Sequence, residues 1–341
     1  MLGKCLVTWL DYKHYKRLCP EKQSFFKKRV KYLSILIDKA APLPYDEGES
    51  KRPGAFQSEG SSHGCDLGID IGGSTTKIVG LRTDGSIVSM LRVRADDQVT
   101  SLYGALGNYL TSNGLTLTDV RRIVLTGVGA SYVEGDIYGL PTCKVDEFSA
   151  SGTGALALSG QDKAVVVTMG TGTAFMWAEK DGTVRHLCGS GIGGGTLGGL
   201  CRKLVGMERF GQIKKLAAGG DLGQVDLTIA DITCHPAPTL DPTLTAANFG
   251  NLAEDASPAD LAAGAVNLVL QAIGTMTVLA CQCCDTRTVV LTGSMTTLDQ
   301  VQPNFENFEK LYGIHYIVPE NATFATAIGA GLCSLKKKAV E

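Results

Sequence analysis

The chain of 341 residues is short of proline, with 11, and short of net charge, at −2, while glycine is abundant at 42. Few prolines beside many glycines exclude a proline-rich linker protein. They point instead to tight turns and close backbone approaches in a packed fold. The near-neutral balance lacks the excess of basic residues that marks a general nucleic-acid binder. Charged residues make up 19% and apolar ones 44%, so a sizeable core is available and overall disorder is excluded. No signal-peptide pattern opens the chain, and its 11 scattered cysteines read as reduced thiols in a cytosol, a cytoplasmic setting. The one close group, Cys281, Cys283 and Cys284, sits in an apolar helical run without a partner histidine and reads as small packed side chains. The longest apolar stretch, 259–284, carries Asp260, Asn267 and Gln271 together with Gly264 and Gly274. It reads as a helix buried in a large domain or dimer rather than a membrane span.

Residues 1–64 differ in composition from the rest. Lysine and arginine dominate first (Lys27-Lys28-Arg29, Lys31), then 42–64 is rich in Pro, Gly, Ser and Glu. This segment is expected to be a poorly ordered basic extension and linker. From Cys65 the pattern becomes regular. Strands are expected at 66–71, 76–82 and 86–93, a helix over about 98–113, a strand at 122–126, a short strand at 140–145 and a helix at 147–158. The same order then recurs: strands at 164–169, 174–179 and 183–187, a strand at 287–292, a helix around 304–311, a strand at 314–318 and a final helix from about 322. A large helical insertion, about 195–285, interrupts the second copy. The expectation is a duplicated α/β fold with two domains, 65–160 and 161–341, around a cleft.

The first turn of each half has the same chemistry. In the first half it is Asp70-Ile71-Gly72-Gly73-Ser74-Thr75-Thr76-Lys77, and in the second Gly170-Thr171-Gly172-Thr173. Glycines let the backbone approach a phosphate, and N–H groups and hydroxyls then donate to it. Two such turns at equivalent places suggest one polyphosphate gripped from both sides. Asp70 suits a Mg²⁺ ion reached through water, or else caps its own turn. Lys77 reaches the phosphates or is simply an exposed strand residue. Gly193-Gly194-Gly195 opens a helix and offers either an anion site or close helix packing. The spacing of Gly189, Gly191 and Gly194 satisfies GxGxxG, but a dinucleotide-binding unit needs a strand after that helix, and more helix follows.

These loops and the duplicated order resemble the acetate kinase, sugar kinase, Hsp70 and actin superfamily, whose fold is the actin-like (ribonuclease H-like) ATPase fold. Two further stretches, Gly189–Leu200 (GSGIGGGTLGGL) and Leu244–Leu252 (LTAANFGNL), resemble type II pantothenate kinases, the staphylococcal and eukaryotic kind. The resemblance covers about 65–338. It implies phosphorylation of the primary hydroxyl of pantothenate by MgATP, at the opening of coenzyme A synthesis, and a cooperative homodimer with 259–284 as a candidate interface. It places the catalytic glutamate at Glu147 in KVDEFSASGTGAL, with Asp146 as neighbour and competitor and with helix capping as the plain structural role. It also places His186, beside Arg185, where the family has an arginine, and Ala174 where the staphylococcal kind has serine. Arg185 and His186 are the other candidate catalytic residues, and on a strand they face opposite ways.

Beside a divergent kinase of this kind for another small alcohol, two other functions fit the opening loop. One is an ATPase activator of a 2-hydroxyacyl-CoA dehydratase, which would need Cys143 or Cys188 to hold an iron–sulfur cluster. The other is a nucleotide switch that transfers nothing.

Overall fold

The computed structural model describes residues 64–95, 97–234 and 241–338. The expected extension and linker over 1–63 lies outside the described residues. Two five-stranded sheets carry the fold, and they have the same order. The first comprises β1 (Cys65–Ile71), β2 (Thr75–Leu81), β3 (Ile87–Arg94), β4 (Val120–Thr126) and β5 (Thr142–Lys144), arranged β3-β2-β1-β4-β5. The second comprises β6 (Lys163–Met169), β7 (Thr173–Glu179), β8 (Val184–Ser190), β11 (Thr288–Thr292) and β12 (His315–Ile317), arranged β8-β7-β6-β11-β12. In each sheet the first three strands form an antiparallel meander and the last two add in parallel. The repetition reaches single residues. Thr126 and Thr292 each end the fourth strand of their sheet and are followed by a glycine at positive φ, Gly127 at 86° and Gly293 at 94°. A side chain there would be strained.

Strand β1 is buried along its whole length because both of its faces are covered. Leu67, Ile69 and Ile71 pack with Leu102, Leu106 and Tyr109 of helix α1 (Gln98–Ser112). The alternate residues Asp66, Gly68 and Asp70 point to the opposite face. That face is covered by a helix from the far end of the chain.

The covering helices are exchanged between the halves. Helix α2 (Glu147–Ser159) follows the first sheet but packs on the second, with Ala155 and Leu156 against Val166, Met176, Ala178 and Val290. Helix α8 (Ala325–Lys338) follows the second sheet but packs on the first, with Ala327 and Ile328 against Val79 and Leu81. The two helices also cross each other with their backbones in contact. A Cβ at Gly154 would collide with the Ala325 carbonyl, and one at Gly329 with the Ala150 carbonyl. A Ser151–Thr326 hydroxyl hydrogen bond of 2.9 Å sits at the crossing. At the other end of α8, Arg122 of β4 ties the sheet to the helix. It pairs with the buried Asp66 at 3.4 Å and donates to Ser334 at 2.9 Å.

The insertion holds α3 (Gly194–Leu204), α4 (Phe210–Ala217), the short hairpin of β9 (Leu227–Thr228) and β10 (Thr245–Ala247), the single turn α5 (Ile229–Ile232) and the long α6 (Pro258–Cys283). Helix α7 (Val301–Tyr312) then precedes β12. Helix α6 is long and apolar enough to cross a membrane by length and composition. Most of it is buried within the chain, with Ala262, Ala265, Val266, Val269 and Ile273 in one core with Val165, Val167 and Phe175 of the second sheet. Its buried polar residues have partners. Asp260 completes a capping box with Ser257 and accepts from the Asp221 N–H at 2.7 Å. Hydrogen bonds from Asp221 and then Ser257 hold the Asp260 carboxyl below the usual range. Asn267 donates to the buried Asp226 at 2.6 Å.

Candidate active site

Asp70 and Lys77 stand opposite each other on β1 and β2, and the Lys77 ammonium donates to Asp70 Oδ2 at 2.9 Å. Both are buried, so Lys77 is not an exposed strand residue. Asp70 takes this ion pair rather than capping its turn. That turn is closed instead by the Gly72 N–H on the Thr75 carbonyl at 3.0 Å. Gly127 meets the same carboxylate from β4. A Cβ there would lie 2.7 Å from Asp70 Oδ1.

Glu147 joins this pair from the start of α2. Asp146 is the helix cap, accepting from Ser149 N–H at 2.9 Å, so the capping role is filled by the neighbour. Among the described residues, no hydrogen bond engages the Glu147 carboxylate. Its pKa is raised, first by burial and then by the charges of Asp70 and Asp146, with Lys77 acting in the opposite direction. A half-buried carboxylate with a raised pKa and no structural partner has the character of a general base.

The two glycine turns face each other. A Cβ on Gly73 would stand 3.9 Å from Thr171 Oγ1. Gly73, Ser74 and Thr171 are exposed there, while the flanking Thr75 and Gly72 are half-buried. The second turn is tight, with Gly170 N–H on the Gly172 carbonyl at 2.9 Å. The run Gly193–Gly195 supports that turn from behind. Gly194 N–H donates to Gly170 O at 2.9 Å and Gly195 N–H to Thr171 O at 2.8 Å. A Cβ on Gly193 would come within 2.8 Å of the Thr171 carbonyl, and one on Gly172 within 2.8 Å of the Ser190 carbonyl. The Thr173 hydroxyl is likewise turned inward, donating to Ile192 O at 2.8 Å. Of the two roles open to the triple glycine, the structure realises close packing against the turn. The N–H groups of Gly194 and Gly195 are spent on that packing.

Strand β8 separates the two remaining candidates. His186 stacks on Phe148, the residue after Glu147, with ring centroids 4.4 Å apart and planes 22° apart. Arg185 points to the other face, where its Nη2 lies 3.8 Å from Cys284 Sγ at the end of α6. The assignment of Arg185 to the catalytic group is therefore corrected. Alternation along the strand carries it away from Glu147.

Three residues of the region were not singled out by sequence. Gly127 has a visible signal, a glycine closing a strand equivalent to the one before Gly293. Asp226 has none. It is buried and accepts from Phe249 N–H at 2.8 Å, Asn248 Nδ2 at 3.3 Å and Asn267 Nδ2 at 2.6 Å. Asn304 in turn donates to Asn267 at 2.6 Å. The stretch Thr245–Gly250 is thus clasped onto α6 through one carboxylate, with Phe249 held at φ 57°. The third residue, Arg92, lies on β3 opposite Lys77.

A nucleotide-borne Mg²⁺ needs only one or two protein carboxylates, since phosphates and water fill the remaining positions. Asp70, paired here with Lys77, is one such carboxylate. Among the described residues, no cluster of three or more His, Cys, Asp or Glu forms a separate metal cage.

Comparison with known proteins gives a consistent picture. The Fumble family model matches residues 163–306. The type II pantothenate kinase of Staphylococcus epidermidis (strain ATCC 35984) is 29% identical over 275 residues, covering 77% of this chain and 98% of that protein. The type II pantothenate kinase of Staphylococcus aureus (strain USA300) is 27% identical over 274 residues, covering 77% and 97%. Among solved structures, the activator of the 2-hydroxyisocaproyl-CoA dehydratase from Clostridium difficile, with bound ADPNP, superposes with a TM-score of 0.59 at 17% identity, covering 80% of this chain and 95% of that one. At that identity the likeness is one of fold. Fold and relatives together define a phosphotransferase of the actin-like class. Within that class, the chain is similar to the type II pantothenate kinases of these two staphylococci.

Proposed function

We propose that the protein transfers the γ-phosphoryl group of MgATP to the primary hydroxyl of pantothenate, the first step of coenzyme A synthesis. The observation that carries this reading is Glu147. It is a carboxylate of raised pKa with no hydrogen-bond partner among the described residues, beside the Asp70–Lys77 pair and on a helix whose cap is another residue. The resemblance to type II pantothenate kinases supports pantothenate as the acceptor.

In this reading the polyphosphate lies between the turns at Gly72–Thr75 and Gly170–Thr173, where exposed N–H groups and hydroxyls donate to it. Gly193–Gly195 keep the second turn in place. Mg²⁺, held through water near Asp70, would neutralise charge on the phosphate oxygens. The acceptor hydroxyl points at Glu147. As its oxygen bonds to the γ-phosphorus, the bond from that phosphorus to the bridging oxygen of ADP breaks and the hydroxyl proton passes to the Glu147 carboxylate. His186, stacked on Phe148, fixes the first turn of the helix that presents Glu147. The catalytic group is then Glu147 with His186 beside it.

The reading has further parts, which are proposals of the same kind. The enzyme works in the cytoplasm, takes no nucleic acid or membrane as partner, and forms a homodimer. Much of α6 is buried within its own chain, so its contribution to a dimer comes from the exposed stripe of Thr275, Leu279 and Gln282. Its two domains meet near residue 160.

The test is transfer of label from γ-³²P-ATP to pantothenate by the wild-type protein beside Glu147→Ala. Labelled phosphopantothenate from wild type and a loss of at least a hundredfold in the variant are expected. Wild-type turnover in the variant would remove Glu147 from catalysis. A wild type inert toward pantothenate would remove the acceptor.

A further inference from the structure

The family resemblance places an arginine at residue 186, and this chain has histidine there. The histidine is stacked on Phe148, and the adjacent Arg185 is directed to Cys284 on the opposite face. The cleft therefore lacks that arginine on the second sheet. The first sheet offers one in its place.

Register sets Asp70, Lys77 and Arg92 opposite one another on the successive strands β1, β2 and β3. Residues directly opposite in a sheet project from the same face. The next pair inward on that face, Val79 and Met90, lies under helix α8. The face is therefore the one turned toward the second half, and Arg92 stands where the helix no longer covers it. Leu91 and Val93, its chain neighbours, pack instead on the α1 side. Arg92 makes no hydrogen bond or ion pair among the described residues, unlike Lys77 beside it. Its side chain is open to water, yet the protein around the guanidinium is dense enough to lower its pKa. An open arginine without a protein partner among the described residues is what an anion site requires.

We propose that Arg92 is a substrate-positioning residue that binds the carboxylate of the acceptor. The inference rests on the proposed function and adds where the acceptor's charged end lies. Adjacent strands stand about 4.8 Å apart, so the backbone at Arg92 is roughly 10 Å from that at Asp70, two strands away. An acceptor whose hydroxyl is at Glu147 extends across Lys77 and brings its far end to β3. The phosphates are met elsewhere, at the turns beyond the strand ends, where Gly73 faces Thr171. The planar guanidinium suits a carboxylate through two parallel hydrogen bonds, which the stacked imidazole of His186 cannot offer.

The test compares two acceptors with the same reacting hydroxyl: pantothenate, which ends in a carboxylate, and pantetheine, where that carboxyl is an uncharged amide. Initial rates give kcat and KM for each with wild type, Arg92→Ala and Arg92→Lys. The expected result is a rise in KM for pantothenate in Arg92→Ala. The ratio of kcat/KM for pantothenate over pantetheine should fall roughly tenfold to a hundredfold, the worth of a hydrogen bond to a charged group. Arg92→Lys should recover part of it. An equal loss on both acceptors, or no change on either, overturns the role of Arg92 while wild-type turnover leaves the kinase reading standing. A wild type that phosphorylates neither acceptor overturns the kinase reading, and the inference falls with it.

Discussion

At Glu147, burial and the Asp70 charge both work against the ionised form that a base needs. Two consequences follow, and their signs differ. For activity, protonation below the raised pKa removes the proton acceptor of the proposed reaction. The acid limb of kcat/KM against pH is therefore expected to lie above the range of an ordinary carboxylate, with activity rising as pH rises through it. For stability, ionisation at neutral pH costs the folded state, because the folded pKa exceeds the unfolded one. Glu147→Gln is therefore expected to melt no lower than wild type at pH 7 while losing at least a hundredfold in kcat. Calorimetry beside initial-rate assays checks both, and a variant that melts well below wild type would make Glu147 a structural residue. Arg185 provides the converse at this scale. It contacts Cys284 and not the site, so Arg185→Ala should keep turnover within about twofold of wild type, since exposed contacts of this kind contribute little.

At the scale of elements, the second turn depends on backbone touching backbone. Gly193→Ala introduces a methyl 2.8 Å from the Thr171 carbonyl, so the turn must move. A weaker apparent affinity for ATP, at least tenfold by equilibrium binding, is expected, with secondary structure by circular dichroism retained. An unchanged affinity would detach the triple glycine from nucleotide binding. The clasp on Asp226 predicts a different loss. Asp226→Ala leaves the buried Asn267 and the half-buried Asn248 and Phe249 donors without their acceptor, which should cost about 2 kcal/mol in denaturant unfolding. The strands and both turns were readable from the sequence because alternation and glycine placement are local signals, whereas Glu147 was reached only through the family resemblance of KVDEFSASGTGAL. Asp226 was not readable, because a lone aspartate between Val225 and Leu227 carries no pattern until the chain returns with Asn248 and Asn267. Arg92 was hidden in the same way: in Met90-Leu91-Arg92-Val93-Arg94 it reads as the solvent side of an edge strand. Only the pairing with Lys77 reveals which face that is.

Across the whole molecule, the exchange of α2 and α8 makes each half's sheet depend on a helix from the other. Neither helix announces this in its sequence. Residues 150–156 of α2 are buried on all sides, so they have no apolar stripe to point at a sheet. The halves are expected to unfold together in one calorimetric transition, and Gly154→Val, which forces apart the crossing with Ala325, should lower that transition as a unit. Two separated transitions would contradict the exchange as a source of cooperativity. Helix α2 brings Glu147 beside the Asp70–Lys77 pair and crosses α8, so the fold and the proposed chemistry meet in α2. The most direct measurement is ³¹P NMR of ATP, Mg²⁺ and pantothenate incubated with wild-type protein and with Glu147→Gln. The account predicts a phosphomonoester signal growing in step with ADP for wild type and none on the same timescale for the variant. ADP without phosphomonoester in wild type, or equal growth in the variant, would contradict it.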